Sequence, residues 1–291
     1  MIKQFDGSAN EASGYSVSMS YVGTTITVVS GTYENRKTRI HKLTGNTWDT
    51  TVINGTDQDL WSVVCLSSDG TTVALAAPRT GIITIYKWNS QNSSWNILGS
   101  QITGGANNEF GFSVSLSSDG TIVAIGAPAA NSSTGMTRIY KWNSSSWIML
   151  GSQINGLNVN DSSGYSVSLS SDGTTVAIGA PNTMYNSNKG FTRIYKLTDQ
   201  TWVMNKHITG EGGSGHCVSL SSDGITIAIG NVSVVLIYKW NGQDWVMTKQ
   251  IDGDSASYSG RSSISSDGTV IAIGAPNGLS YAGTTRIYKY I

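Results

Sequence analysis

The stretch Ser113-Val-Ser-Leu-Ser-Ser-Asp-Gly-Thr-Ile-Val-Ala-Ile-Gly-Ala-Pro128 decides how this chain reads. It returns almost unchanged from Ser166 to Pro181, and weaker copies start at Ser16, Ser62, Cys217 and Ser262. One glycine anchors each copy: Gly23, Gly70, Gly120, Gly173, Gly224 and Gly268. The intervals run from 44 to 53 residues, so six units fill the 291-residue chain. All four prolines, Pro78, Pro128, Pro181 and Pro276, occupy one position of the unit, where the first and fifth units carry Gly31 and Val232. A period of this size marks stacked repeats or a propeller. One domain spanning 1–291 is expected, without a linker.

Four strands are legible in each unit. The first reads Ser-Val-Ser-Leu-Ser, the second Thr-Val-Ala-Ile-Gly-Ala and the third Thr-Arg-Ile-Tyr-Lys-Trp; the fourth runs from a Trp to Gln-Ile-x-Gly, as in Trp245 to Gly253. Such β-branched and aromatic runs, punctuated by Gly, Asn, Asp and Ser, are strand signals. No window keeps helical spacing. Asp-Gly between the first two strands predicts a type I′ hairpin turn, with positive φ at both central residues. The second strand has small residues on one face (Ala124, Gly126; Ala177, Gly179; Ala272, Gly274) and branched ones on the other (Val123, Ile125; Val176, Ile178; Ile271, Ile273). Sheets stacked face to face can then set large side chains over small ones. The expected fold is all-β: a six-bladed β-propeller with four antiparallel strands per blade. Lys3-Gln4-Phe5-Asp6-Gly7 matches the end of a fourth strand, Lys249-Gln250-Ile251-Asp252-Gly253, while the chain stops after a third strand, Thr285 to Lys289. The N-terminal strand is therefore expected to complete the last blade and close the ring, which hides open sheet edges.

The run Phe110-Gly111-Phe112-Ser113-Val114, then Ala124 to Pro128, Gly135, and Thr137-Arg138-Ile139-Tyr140, resembles an FG-GAP repeat. That family builds the propeller of integrin α subunits and related adhesion proteins. The resemblance spans the whole chain, with Gly-Ala-Pro in units three, four and six and Ala76-Ala77-Pro78 in unit two. It implies adhesion- or lectin-like binding and an extracellular setting. The family's calcium loop carries several acids around the turn between the first two strands. Here that turn, Leu116 to Thr121, has one, Asp119. No calcium, other metal or cofactor is expected. Integrin propellers have seven blades against six here. The wording is also similar to propellers of giant viruses and marine microbes.

Charged residues make up 12% of the chain, about half the roughly 25% of ordinary globular chains. Their place is taken by 43 Ser, 30 Thr and 34 Gly. A net charge of zero, from 18 basic and 18 acidic residues, argues against a nucleic-acid partner. No apolar run suits a membrane span, and the first residues form no secretory signal. Cys65 and Cys217 lie in the first strands of opposite units, too far apart for a bridge. Two buried free thiols are expected, which lean toward a cytoplasmic or particle-associated protein. A monomer is favoured.

The turn aspartates Asp69, Asp119, Asp172, Asp223 and Asp267 read as residues that satisfy turn amides. Nine other acids, Asp6, Glu11, Asp57, Asp59, Glu109, Asp161, Glu211, Asp252 and Asp254, fall in connections from a fourth strand to the next first strand. The resemblance places these on the upper face, which gives an acidic rim able to attract a cation or a basic partner. Where the first strand begins, Tyr15, Phe112, Tyr165 and His216 share one position, and Trp61 and Arg261 join after a one-residue shift. Such a ring of aromatics suits a sugar or a peptide. The longest connection between second and third strands, in unit four, adds Tyr185 beside Met184 and Asn186, near Asn131. The ligand-binding set is thus Tyr15, Trp61, Phe112, Tyr165, His216, Arg261, Glu109, Asp161 and Tyr185. Catalytic residues are not evident. The three His lie in different units, without metal-ligand spacing, and no nucleophile elbow or phosphate loop exists. The reading is a non-enzymatic module that presents a loop face to a protein or glycan. The alternatives are a structural component of a larger particle and a hydrolase or lyase on the acidic rim.

Overall fold

Ser117 shows why the repeat is spelled as it is. Its hydroxyl donates to Asp119 Oδ1 at 2.7 Å and accepts the Ile122 N–H at 2.9 Å. Asp119 Oδ1 also accepts the Thr121 N–H at 3.0 Å, and the Gly120 N–H donates to the Ser117 carbonyl at 3.0 Å. The pairs Ser67–Asp69, Ser170–Asp172, Ser221–Asp223 and Ser265–Asp267 repeat this pattern. The turn differs from the expected type I′. The glycine alone takes positive φ, 70° at both Gly70 and Gly120, while no turn aspartate does. The serine two residues upstream holds the Asp side chain back over the turn, so Ser-Ser-Asp-Gly forms one four-residue turn.

These bonds have a pH consequence. The hydroxyl of Ser265 and the donors of Thr269 hold Asp267 below its ordinary value. At Asp69, Asp119 and Asp172 burial pushes upward, but the same hydroxyl and N–H donors outweigh it. A carboxylate with a depressed folded pKa stabilises fully above its unfolded value, and that stability is lost as pH falls through the folded value. The melting temperature is expected to hold down to about pH 5 and to fall steeply below about pH 4, the unfolded carboxylate value. An Asp119→Asn, Asp172→Asn chain, melted across the same pH series, should show a shallower acid limb.

The computed structural model describes residues 3–7, 13–32, 35–54, 62–181, 189–211, 213–231, 234–253, 261–275 and 284–289. Tyr185, Trp61, Pro276 and Val232 lie outside them. The chain forms six antiparallel sheets in sequence order, set in a ring as a six-bladed β-propeller. Blade three is typical: Ser113–Leu116, Ile122–Ala127, Met136–Trp142 and Trp147–Met149, with Ile154–Asn155 rejoining the third strand. No helix of the described residues is long and apolar enough to cross a membrane.

Neighbouring blades pack large over small, as expected. Val123 and Ile125 of blade three lie against Ala74 and Ala76 of blade two. Val176 and Ile178 of blade four meet Ile122 and Ala124 of blade three. Gly126 is glycine for a steric reason: a Cβ there would stand 2.0 Å from the Gly164 carbonyl oxygen of the next connection.

The strand serines carry a second set of inter-blade bonds. Ser18 Oγ accepts the Leu66 N–H at 2.9 Å, Ser115 that of Leu169 at 3.0 Å, Ser168 that of Leu220 at 3.0 Å and Ser219 that of Ile264 at 3.1 Å. Cys65 stands in for such a serine, and Cys217 takes the place of the serine two residues earlier, Ser113 or Ser166, whose hydroxyls donate to the Gly164 and Gly215 carbonyls. Cys65 Sγ accepts from the Leu116 N–H, and Cys217 Sγ donates to the Ser262 carbonyl at 3.1 Å. Burial pushes the Cys65 thiol up to about 11. The two thiols are free, as expected, and each residue is partly rather than fully buried. Around the turns runs a further row: Tyr21 N–H to Ser68 O, Ser118 to Ser171, Ser171 to Ser222 and Ser222 to Ser266, each 2.8 Å.

The junction of blade six with blade one is different. Among the described residues no such bond joins Ser263 or Ser266 to Met19 or Tyr21. Val17 and Met19 are 63% and 61% exposed, whereas their counterparts Val64 and Leu66 are each 6% exposed. Ile287 is 74% exposed, although Ile85, Ile139, Ile194 and Ile237 at its position are buried. The N-terminal segment lies at this junction. Gln4 Nε2 donates to Asp6 Oδ1 at 2.7 Å, as Gln250 does to Asp252 at 2.6 Å. Phe5 stacks on His41 with ring centroids 3.8 Å apart and meets Trp48 edge-on at 5.4 Å. Ile154, from the end of blade three's fourth strand, packs in the same way on Tyr195 and Trp202 of blade four. Residues 3–7 thus lie against blade one where the last blade's fourth strand is expected, though among the described residues they pair with no strand and that blade's sheet has three. The strands of that blade's own unit are Arg261–Ile264, Val270–Ala275 and Thr284–Lys289.

Candidate functional site

The first strands of blades three, four and five are entered through a glycine with positive φ: Gly111 at 97°, Gly164 at 88° and Gly215 at 93°. L-residues other than glycine pay for this backbone region. The sharp entry delivers the following side chain, Phe112, Tyr165 or His216, to the upper end of the innermost strand. Phe112 and Tyr165 have ring centroids 4.8 Å apart, and Tyr165 and His216 are 4.9 Å apart, edge to face. The three half-buried rings form a continuous arc across blades three, four and five.

Charge brackets the arc. Burial holds the Tyr165 phenol above its ordinary value; Arg261 works against this and Glu109 with it. Burial pushes the His216 imidazole below its ordinary value, and Arg261 lowers it further. At neutral pH the arc is therefore uncharged, with an exposed acid and an exposed base close by. It offers ring surface, a phenol hydroxyl and imidazole nitrogens to a ligand. Among the described residues no three His, Cys, Asp or Glu side chains gather to hold a metal.

The structure thus brings together Phe112, Tyr165, His216, Glu109 and Arg261. Tyr15 stands apart at the open junction, under the Arg36 guanidinium at 4.2 Å. Asp161 is not on the rim surface. It is buried, and its Oδ2 accepts the N–H groups of Leu157 at 3.1 Å and Asn158 at 2.6 Å. Its position in a connection suggested exposure, but the loop folds over it to satisfy its own amides. Trp61 and Tyr185 lie outside the described residues, as do Glu11, Asp57, Asp59 and Asp254 of the acidic rim.

One feature of this face escaped the sequence reading. Ten described non-glycine residues have positive φ, and Glu109, Asn131, Ser132, Ser133, Asn160 and Ser162 are six of them. They belong to three adjoining connections: Gly104 to Glu109, Ala129 to Gly135 and Gly156 to Gly164. The turns Ala106–Asn108 and Ala130–Ser133 touch. The Ser162 N–H donates to the Ser133 carbonyl at 2.8 Å, and the Gly156 N–H to the Gly135 carbonyl at 2.8 Å. Each left-handed non-glycine residue costs roughly 1 kcal/mol or more. Such strain persists only where surrounding bonds over-determine it, and it clusters at functional sites. Asn and Ser richness was the one available signal, and it is shared with every loop of this chain.

No family model matches the chain, and no curated protein matches it. Solved structures do. It is similar to hydrazine synthase from Kuenenia stuttgartiensis at 13% identity and a TM-score of 0.64, over 94% of this chain and 83% of that one. The Swd1 (Cps50) β-propeller domain from Myceliophteria thermophila matches at 11% identity and 0.62, over 95% and 83%. A Bacteroides uniformis protein proposed to be a 6-phosphogluconolactonase matches at 12% identity and 0.63, over 95% and 85%. These likenesses show the propeller fold. They also correct the expectation of a chain that is no enzyme, because hydrazine synthase shares the fold. Sites on a propeller assemble from loops of several blades, so the lack of a linear catalytic motif does not exclude catalysis.

Proposed function

We propose that the protein is a binding module whose upper face engages a protein or glycan at the arc Phe112–Tyr165–His216, between Glu109 and Arg261. The arc itself carries the reading: three rings from three consecutive blades meet at one end of the innermost strands. Aromatic residues with a polar handle supply large contact area at small conformational cost. The FG-GAP-like phrases support an adhesion-like role, and the likeness to a Swd1 propeller domain is in keeping with an interaction module. Tyr165→Ala should weaken ligand capture about 30-fold, the loss of one central contact of roughly 2 kcal/mol. The measurement is titration of parent and variant against the partner recovered by glycan array or cross-linking. Equal affinity of both chains would remove the arc from the site.

A second reading, a component of a larger assembly, has one observation in its favour. The fourth strands expose paired apolar residues just after a tryptophan: Ile148 and Met149, Val203 and Met204, Val246 and Met247. Sedimentation at rising concentration separates the two readings.

A further inference from the structure

The three strained connections lead directly into the arc. Glu109 precedes Phe112 by three residues, and the Tyr165 N–H donates to the Ser162 carbonyl at 3.1 Å. We infer that these connections form a pre-organised extension of the arc, and that its ligand is a neutral, hydroxyl-rich saccharide. This rests on the reading of the upper face as a binding surface.

The chemistry of the surface selects the ligand class. The connections contain two ionisable groups, Glu109 and Asp161. Asp161 is buried and spends Oδ2 on the amides of Leu157 and Asn158. The connections themselves offer an anionic ligand no exposed cation: Arg261 stands beside the arc, and Arg193 is buried beneath the loop. Asn107 and Asn131 are exposed, and among the described residues their side-chain amides have no hydrogen-bond partner. An amide that both donates and accepts matches a hydroxyl, which does the same. Leu157 and Val159 are exposed beside them, and the half-buried rings adjoin. Together these offer apolar contact to the C–H surface of a sugar. The left-handed Asn131, Ser132 and Ser133 are locked by bonds from the Thr134 N–H to the Asn131 carbonyl at 3.2 Å and from the Gly135 N–H to the Ala130 carbonyl at 2.9 Å. A loop fixed before binding loses little freedom on binding.

The test is an array of neutral, sialylated and sulfated glycans probed with the whole chain, followed by titration of the strongest neutral oligosaccharide. Binding to neutral glycans is expected. An Asn107→Ala, Leu157→Ala chain should lose at least tenfold in affinity with its melting temperature unchanged. Binding confined to charged glycans overturns the inference, as does a loop variant that binds like the parent. If Tyr165→Ala abolishes binding and the loop variant does not, the inference fails and the arc stands. If no glycan binds and a captured protein is lost on Tyr165→Ala, the saccharide is wrong and the module reading survives. If neither substitution affects any captured partner, both readings fall.

Discussion

Val64→Asp should lower the melting temperature of the chain by roughly 10 °C or more, while Val17→Asp, at the equivalent position of blade one, should melt within a few degrees of the parent. Val64 sits in the second strand position that faces blade one and belongs to a cluster with Val29, Ile40 and Trp95. A carboxylate there has no partner, and a buried unpaired charge costs at least about 3–5 kcal/mol. In a chain of this size that lowers the melting temperature by roughly 10 °C or more. Val17 faces the junction with blade six, where it is 63% exposed, and surface changes stay within about 0.5 kcal/mol. Circular dichroism melts of the two variants side by side give the answer. An equal fall in both would mean that blade six packs on blade one as tightly as the other blades pack on each other.

That contrast identifies what holds the ring together. Five junctions share two devices, a serine or cysteine accepting an N–H of the next blade and a bond between successive turns, and the four junctions from blade two to blade six add branched residues over small ones. At the sixth, Phe5 supplies the described contact from the N-terminal segment, by stacking on His41. The ring is therefore anchored there by a side chain of residues 3–7, and the exposed Val17, Met19 and Ile287 make it the weakest junction.

How far the sequence carried the reading depends on whether a signal was local. The blade period was legible because each turn repeats its own chemistry, Ser to Asp and back to the N–H groups. The turn type was not, since Asp-Gly alone does not announce the serine two residues before it. The strand serines looked like ordinary strand residues, and their role appears only when the next blade brings a free N–H to each hydroxyl. With that known, Cys65 and Cys217 cease to be anomalies. The arc was found by aligning units on their turn glycines, because residues at one register position of successive blades must lie side by side. Asp161 was misplaced on the rim since burial in a loop depends on how two connections fold over each other. The left-handed run Asn131 to Ser133 was invisible for a similar reason: Asn and Ser tolerate that conformation without demanding it.

Arg193→Ala should lower the melting temperature by roughly 10 °C and loosen the loop that carries Leu157 and Val159. Arg193 is 2% exposed. Its Nη2 donates to the Asn155 carbonyl and to Ser163 Oγ, each at 2.8 Å. Those two acceptors are the ends of the connection 156–162, so one guanidinium from blade four staples the base of the loop. The charge is tolerated because the rings of Phe191 and Tyr195 lie 5.5 and 5.7 Å away and Asp161 adds an attractive field. Removing the side chain leaves a cavity and two acceptors without donors, that of Ser163 fully buried, together about 3–5 kcal/mol. Arg193→Lys keeps the charge, but a point-like ammonium does not reproduce the planar fork, so most of the loss should remain. Arg193→Met separates volume from hydrogen bonding: it fills the space and still leaves both acceptors bare. Hydrogen exchange at Leu157, Asn158 and Ser162 reads the staple directly. Faster exchange is expected in all three variants, and a Met variant that melts and exchanges like the parent would show that the loop is held by its own bonds to Asp161 and Ser133.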